Sequence, residues 1–148
     1  MLLDPYGLHL NWEVIKVAAS MRSIEIFLNF PVADMNRNVF WSQPQNVDEH
    51  DIVRMNAYWG DESWREIAYE TRNGLFGPME VKSTNDKIAE GFRKRLQEVA
   101  GFEYVTKPIP MKNANRATIY YLFFASHKPV AQNIVKQIFD KYRNRGIS

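Results

Sequence analysis

Cysteine is absent from all 148 residues. That excludes disulfides, thiolate metal sites and cysteine nucleophiles, and it makes the cytoplasm the expected compartment. No stretch approaches the ~20 consecutive apolar residues a membrane-spanning helix needs, so no membrane association is expected. The amino-terminal segment carries Asp4 and Glu13 where a secretory leader would carry positive charge and an apolar core. Histidine is scarce: His9, His50 and His127 stand far apart, and no serine–histidine–acid triad can be argued from them. The glycines never form a Gly-x-Gly run, the usual sign of a phosphate-cradling loop. Charge of one sign is also lacking. Lys and Arg total 19 against 17 acidic residues, a net +2, too little for electrostatics alone to point to nucleic acid. Internal repeats and low-complexity tracts are absent as well.

What is present describes a packed single domain. Apolar residues make up 45% and aromatic residues 14% of the chain, enough to bury a core and to argue against disorder. The chain opens on Met1-Leu2-Leu3-Asp4-Pro5-Tyr6-Gly7, an apolar strand end running into a polar turn. Asn11 suits the N-cap of a helix across Trp12 to Met21, with Val14, Ile15, Ala18 and Ala19 on one face. Ile24 to Phe30 then reads as a mostly buried strand closed by Pro31. Strand, helix and strand make a βαβ unit with parallel strands.

Ala33 to Asn46 reads as polar and irregular. A helix over Asp48 to Tyr58, ended by Gly60, and a short helix capped by Asp61 form a helical insertion, residues 47–72, over the carboxyl edge of the sheet. Arg72 to Pro78 is turn-rich and reads as a hinge or disordered linker. From Thr84 or Asn85 the positions Ile88, Ala89, Phe92, Leu96 and Val99 recur at helical spacing, with Gly101 as a C′ glycine. Phe102 to Met111 is extended, and Pro108 and Pro110 place it at a sheet edge. Ala117 to Ala125 is the clearest strand. Pro129 opens a last helix with Val130, Ile134, Val135, Ile138 and Tyr142 on one face.

Ligands of open α/β sheets bind beyond the carboxyl ends of strands, so the candidate site residues lie there. Asp4, Pro5 and Tyr6 end the first strand, and Asn29 and Pro31 end the second. Asn36 and Arg37 follow in a loop whose guanidinium among amides suits a phosphate or carboxylate. Each has a plainer reading as a turn signal or solvated loop. Asp48-Glu49-His50-Asp51 is an acidic helix start, not a metal cluster, because successive helix positions do not face one point. Trp41, Tyr58, Trp59 and Trp64 either stack on bases or anchor the short helices. Arg93, Lys94 and Arg95 form a basic cluster on the exposed side of their helix.

The stretches Leu3-Asp4-Pro5-Tyr6-Gly7-Leu8, Phe27-Leu28-Asn29-Phe30-Pro31-Val32 and Met35-Asn36-Arg37-Asn38 resemble those of the three-Cys-motif partner (TcmP) proteins. So do Ser63-Trp64-Arg65-Glu66-Ile67-Ala68, Tyr120-Tyr121-Leu122-Phe123-Phe124-Ala125-Ser126 and Lys141-Tyr142-Arg143-Asn144. The resemblance implies an α/β, Rossmann-like fold of the class I methyltransferase type. In that fold the final strand runs antiparallel, inserted between the fifth and sixth strands. Residues 1–148 are then expected to form one methyltransferase-like domain corresponding to the C-terminal half, a mixed sheet with a terminal antiparallel hairpin and the first half of the sheet absent.

Asp4-Pro5-Tyr6-Gly7 is similar to the Asp/Asn-Pro-Pro-Tyr/Phe motif of amino-group methyltransferases, with one proline fewer. The similarity implies catalytic roles for Asp4 and Tyr6, which would align a target amine and stack on its base. Intact family members would bind S-adenosylmethionine; no cofactor is expected for this chain alone. The implied partner is a radical-SAM-like protein with a three-cysteine motif. An open first strand would also admit a homodimer or a separately encoded N-terminal half, and nucleic acid is a further expected partner class.

Overall fold

The structure is a computed structural model that describes residues 2–3, 10–129 and the single positions 133, 136, 137 and 140. Asp4, Pro5 and Tyr6 lie outside the described residues, as do the apolar positions of the expected closing helix. The four isolated positions Asn133, Lys136, Gln137 and Asp140 are helical and exposed, at the i, i+3, i+4, i+7 spacing of one helix face.

The molecule is a mixed α/β structure. Strand β1 (Leu2–Leu3) leads to helix α1 (Trp12–Ser20) and strand β2 (Ile26–Phe30). β1 and β2 pair in parallel, Leu2 with Phe27 and Leu3 with Leu28. The Asn11 side chain caps α1 by accepting from the Glu13 amide at 2.9 Å, satisfying one of the helix's orphan donors. In β2 burial alternates, with Ile26, Leu28 and Phe30 fully buried and Phe27 and Asn29 half-buried. One face of the strand therefore meets the main core and the other a smaller cluster of Phe27, Ile109, Leu122 and Phe124.

Helix α2 (Val32–Asn38) follows directly, where an irregular loop was expected. Val32 and Met35, three apart, are both buried and anchor the turn. Asn38 donates to Asp34 one turn earlier at 2.7 Å, so the polar residues hold the helix together from outside. A 3-10 turn (Pro44–Asn46) leads to α3 (Glu49–Trp59) and α4 (Trp64–Ala68). Asp48 caps α3 through the His50 amide, and Gly60 ends it in the left-handed region at φ 105°. Within α3 Val53 faces solvent, while Met55, Tyr58 and Trp59 are buried.

The segment expected as a hinge is a regular hairpin of β3 (Tyr69–Gly74) and β4 (Gly77–Lys82), paired from Tyr69–Lys82 to Gly74–Gly77. Its base is tied by the Ser83 amide to the Ala68 carbonyl at 2.7 Å. Gly77 takes φ 113°, which the two-residue turn at Leu75-Phe76 needs. Helix α5 (Asn85–Glu98) is capped by Thr84. It buries Ile88, Ala89, Phe92 and Leu96 but leaves Val99 exposed as the C-cap.

The sheet is completed by β5 (Tyr104–Val105), β6 (Ile109–Lys112) and β7 (Thr118–Ser126). The strand order is β1-β2-β7-β5, with β6 also on β7. β7 runs antiparallel to β2, Phe27 facing Phe124 and Phe30 facing Tyr121. β5 pairs with positions 125–126 of β7 and β6 with 118–122, also antiparallel. They act as one extended edge segment interrupted around Pro108, which has no N–H to give the ladder. The core lies where α1, α3 and α5 meet the buried face of β2 and β7. Phe92 sits at its centre, 5.0 Å from Phe30, 5.2 Å from Trp59 and 5.4 Å from Tyr58 between ring centroids.

Candidate functional site at the carboxyl end of the second strand

The polypeptide leaves β2 at Phe30, and three elements converge there. α2 starts at the same point. α3 reaches it through Tyr58, whose buried hydroxyl donates to the Asn29 carbonyl at 2.8 Å. α5 reaches it through Asp86, which accepts a short hydrogen bond from the Tyr121 hydroxyl, on the β7 residue facing Phe30. Burial, followed by the Asp86 carboxylate, pushes the Tyr121 phenol far above the usual tyrosine range, and burial does the same to Tyr58.

Next to this junction lies a chain of polar side chains. Asn36 on α2 donates to the Asn85 side-chain oxygen at 3.0 Å, and the Lys82 ammonium donates to the same oxygen at 3.0 Å. Lys82 also donates to the Ser83 carbonyl at 3.0 Å. Its hydrogen bonds thus go to neutral oxygens, and no described carboxylate lies within salt-bridge distance of it. Burial pushes its pKa down from the usual lysine value. The Asn36 side-chain oxygen and the Ser83 hydroxyl are buried without hydrogen-bond partners among the described residues. On the far side of α2, the Arg54 guanidinium lies 3.3 Å from Asp51 and 3.9 Å from Asp34, pinning α2 to α3. This arrangement can hold an anionic or amide-bearing group: one desolvated cation offers charge and two side-chain amides offer directed hydrogen bonds.

Of the residues expected at the site, Asn29, Pro31 and Asn36 are brought to this end of the sheet. Asn29 is half-buried in β2, and Pro31 is the residue on which α2 begins. Arg37 points away into solvent, and its backbone carbonyl accepts from the Trp41 indole at 2.6 Å. Lys82, Asn85 and Arg54 were not anticipated. Their assembly depends on contacts between elements remote in sequence, which no local pattern announces.

The aromatic insertion and the basic cluster also resolve. Tyr58, Trp59 and Trp64 are buried core residues, and Trp41 alone of the four is exposed. Arg95 does not share the exposed side expected for Arg93-Lys94-Arg95. Its guanidinium stacks 4.8 Å from the Trp12 ring and donates to the Trp59 carbonyl at 2.9 Å and to Ser63. It also lies 3.6 Å from Asp61. Arg93 is engaged by Glu90. Arg95, expected on the exposed side, is instead the clamp that holds α1, α3 and α5 together.

The two described histidines, His50 and His127, are not part of this polar chain. His50 is exposed at the start of α3. His127 stacks on Phe102 at 5.2 Å and bonds the Ala19 carbonyl at 2.8 Å, at the opposite end of β2. Among the described residues no group of three His, Cys, Asp or Glu could hold a metal ion, and no helix is long and apolar enough to cross a membrane.

S-adenosylmethionine would need a glycine turn between a strand and the helix that follows it. Among the described residues, Gly60 and Gly101 follow helices, Gly74 and Gly77 shape the hairpin turn, and Gly91 lies inside α5. Gly7, between β1 and α1, lies outside the described residues. No family model, curated protein or solved structure matches the chain.

Proposed function

We propose that this chain is a methyltransferase-like component similar to the three-Cys-motif partner proteins. On this reading it holds a substrate group at its strand tips and acts with a radical-SAM-like three-Cys protein, without binding the methyl donor by itself. The observation that supports the reading most is the strand order: a parallel β1–β2 pair, then the last strand antiparallel, then the β5 and β6 edge. That is the order in which a class I methyltransferase sheet ends. The polar chain of Asn36, Asn85 and Lys82 beside the tip of β2 then corresponds to the substrate side, in keeping with the rule that open α/β sheets bind ligands beyond their strand ends. The lack of cysteine makes the cytoplasm the compartment of this proposal.

Co-expression with a three-Cys-motif radical-SAM-like protein tests the partnership. The expected result is a stoichiometric complex that survives size exclusion at micromolar concentration. Two proteins eluting separately would overturn it.

A second reading, a module that completes the sheet of a partner or of another copy, is favoured by the position of β1. It is the terminal strand of the order, with no strand on its outer edge among the described residues. Strand addition there would appear as new hydrogen-exchange protection at Leu2 and Leu3 on mixing. Unchanged exchange would remove this reading.

A further inference from the structure

Two apolar features of the surface have no partner among the described residues. The first is the tip of the β3–β4 hairpin, where Leu75 is 93% and Phe76 99% exposed, with Met79 beside them at 52%. A pair of large apolar side chains wholly in water, on a two-stranded ribbon that pairs with no other strand among the described residues, is costly unless it is used. The second is a groove of about 360 Å³ along α1, lined by Glu13, Val14, Val17, Ala18, Met21 and Ile24. Val14, Val17 and Met21 are 45%, 58% and 56% exposed. They form a stripe on the side of α1 away from Trp12, Ile15 and Ala19, which face the core.

We propose that the hairpin tip of one copy of this chain docks in the α1 groove of a second copy. The exposure of the tip shows that it does not fill the groove of its own chain. The groove is walled by aliphatic side chains, and its volume is of the size that takes a bulky apolar group. Its one acidic lining residue, Glu13, matches Arg72 near the tip, which keeps 65% side-chain exposure while paired with Glu70 at 2.6 Å.

Area favours a reciprocal exchange. A buried Phe alone contributes about 150–250 Å², and Phe76 with Leu75 and Met79 supplies roughly half the ~800 Å² per partner of a standard interface. Two copies each giving a tip and receiving one reach that size and satisfy two-fold symmetry. A lipid surface is the poorer occupant. The hairpin strands carry Glu70 and Glu80 against Arg72 and Lys82, with none of the basic excess that draws a segment to anionic lipid.

Sedimentation equilibrium or light scattering of the full chain over a wide concentration range tests the proposal. The expected mass rises from monomer to dimer. Phe76→Ser and Val17→Glu, both at exposed positions, should leave the circular dichroism unchanged and each weaken dimerisation at least tenfold. Glu13→Arg should also weaken it, with partial rescue by Arg72→Glu in the same chain. A monomer at every concentration would overturn the proposal. So would a dimer indifferent to either the tip or the groove variant, or a monomeric protein that co-sediments with phosphatidylserine vesicles through Phe76.

Discussion

Replacing Phe92 by alanine removes the ring on which three helices and two strands converge. The side chain is fully buried and sits within 6 Å of the Trp12, Phe30, Tyr58, Trp59 and Phe123 rings. Loss of the transfer free energy of a buried Phe and the cavity left among rigid aromatic neighbours together cost about 3–5 kcal/mol. Aromatic side chains cannot collapse into the gap without leaving their own rotamers, so the upper half of that range applies. For a chain of this length each kcal/mol shifts the midpoint by roughly 2–4 °C. The expected fall in Tm is therefore of order 10 °C or more. Urea unfolding followed by tryptophan fluorescence should show a lower midpoint with an unchanged slope. Phe92→Leu should recover more than half of the loss. A loss below about 1 kcal/mol for Phe92→Ala would refute the claim that the core is organised on this ring.

Gly60→Ala should destabilise more than Gly101→Ala. Both glycines hold positive φ, but a Cβ at Gly60 would lie 2.5 Å from the Trp12 ring, whereas Gly101 has open space around it. The conformational cost common to both is roughly 1–2 kcal/mol, and equal losses by urea unfolding would remove the clash from the argument. Tyr121→Phe should cost roughly 1.5 kcal/mol at neutral pH by removing the hydrogen bond to Asp86. The Tyr121 pKa is raised in the folded state, so its stabilisation is complete below the ordinary tyrosine value, about 10, and is lost as pH rises above it. The variant should accordingly lose less stability than the parent between neutral and alkaline pH. Lys82→Met should unfold no more readily than the parent at pH 7. The Lys82 pKa is lowered in the folded state, so the parent gains stability as pH rises from that lowered value toward the ordinary ~10.4. The variant should lack that gain, and a large destabilisation at pH 7 would contradict the absence of an ion pair.

Elements with a strong period were legible before any coordinates. α1 and α5 repeat at helical spacing, and β7 is a nearly unbroken run of apolar and aromatic residues, so their spans were read to within a few residues, but Val14 and Val99, expected on the apolar faces of α1 and α5, are exposed. α2 was not read as a helix, because only Val32 and Met35 are buried and its remaining residues are those that suit loops. The β3–β4 hairpin was read as a linker because beyond Tyr69, which packs against the core, its strands are largely exposed and leave no alternation to see. Arg95 looked like its exposed neighbour Lys94. Only the tertiary approach of Trp12 and Trp59 makes it a clamp. The strand tip at Asn29 and Pro31 was visible through the carboxyl-end rule. Lys82 and Asn85 were invisible, since their meeting with Asn36 is a property of the packed chain.

Calorimetric titration of S-adenosylmethionine tests the central claim most directly, into this chain alone and into its mixture with a three-Cys-motif radical-SAM-like protein. The account predicts no saturable binding to the chain alone, because its sequence holds no Gly-x-Gly run to cradle the methyl donor. Tight one-to-one binding to the chain alone would contradict it.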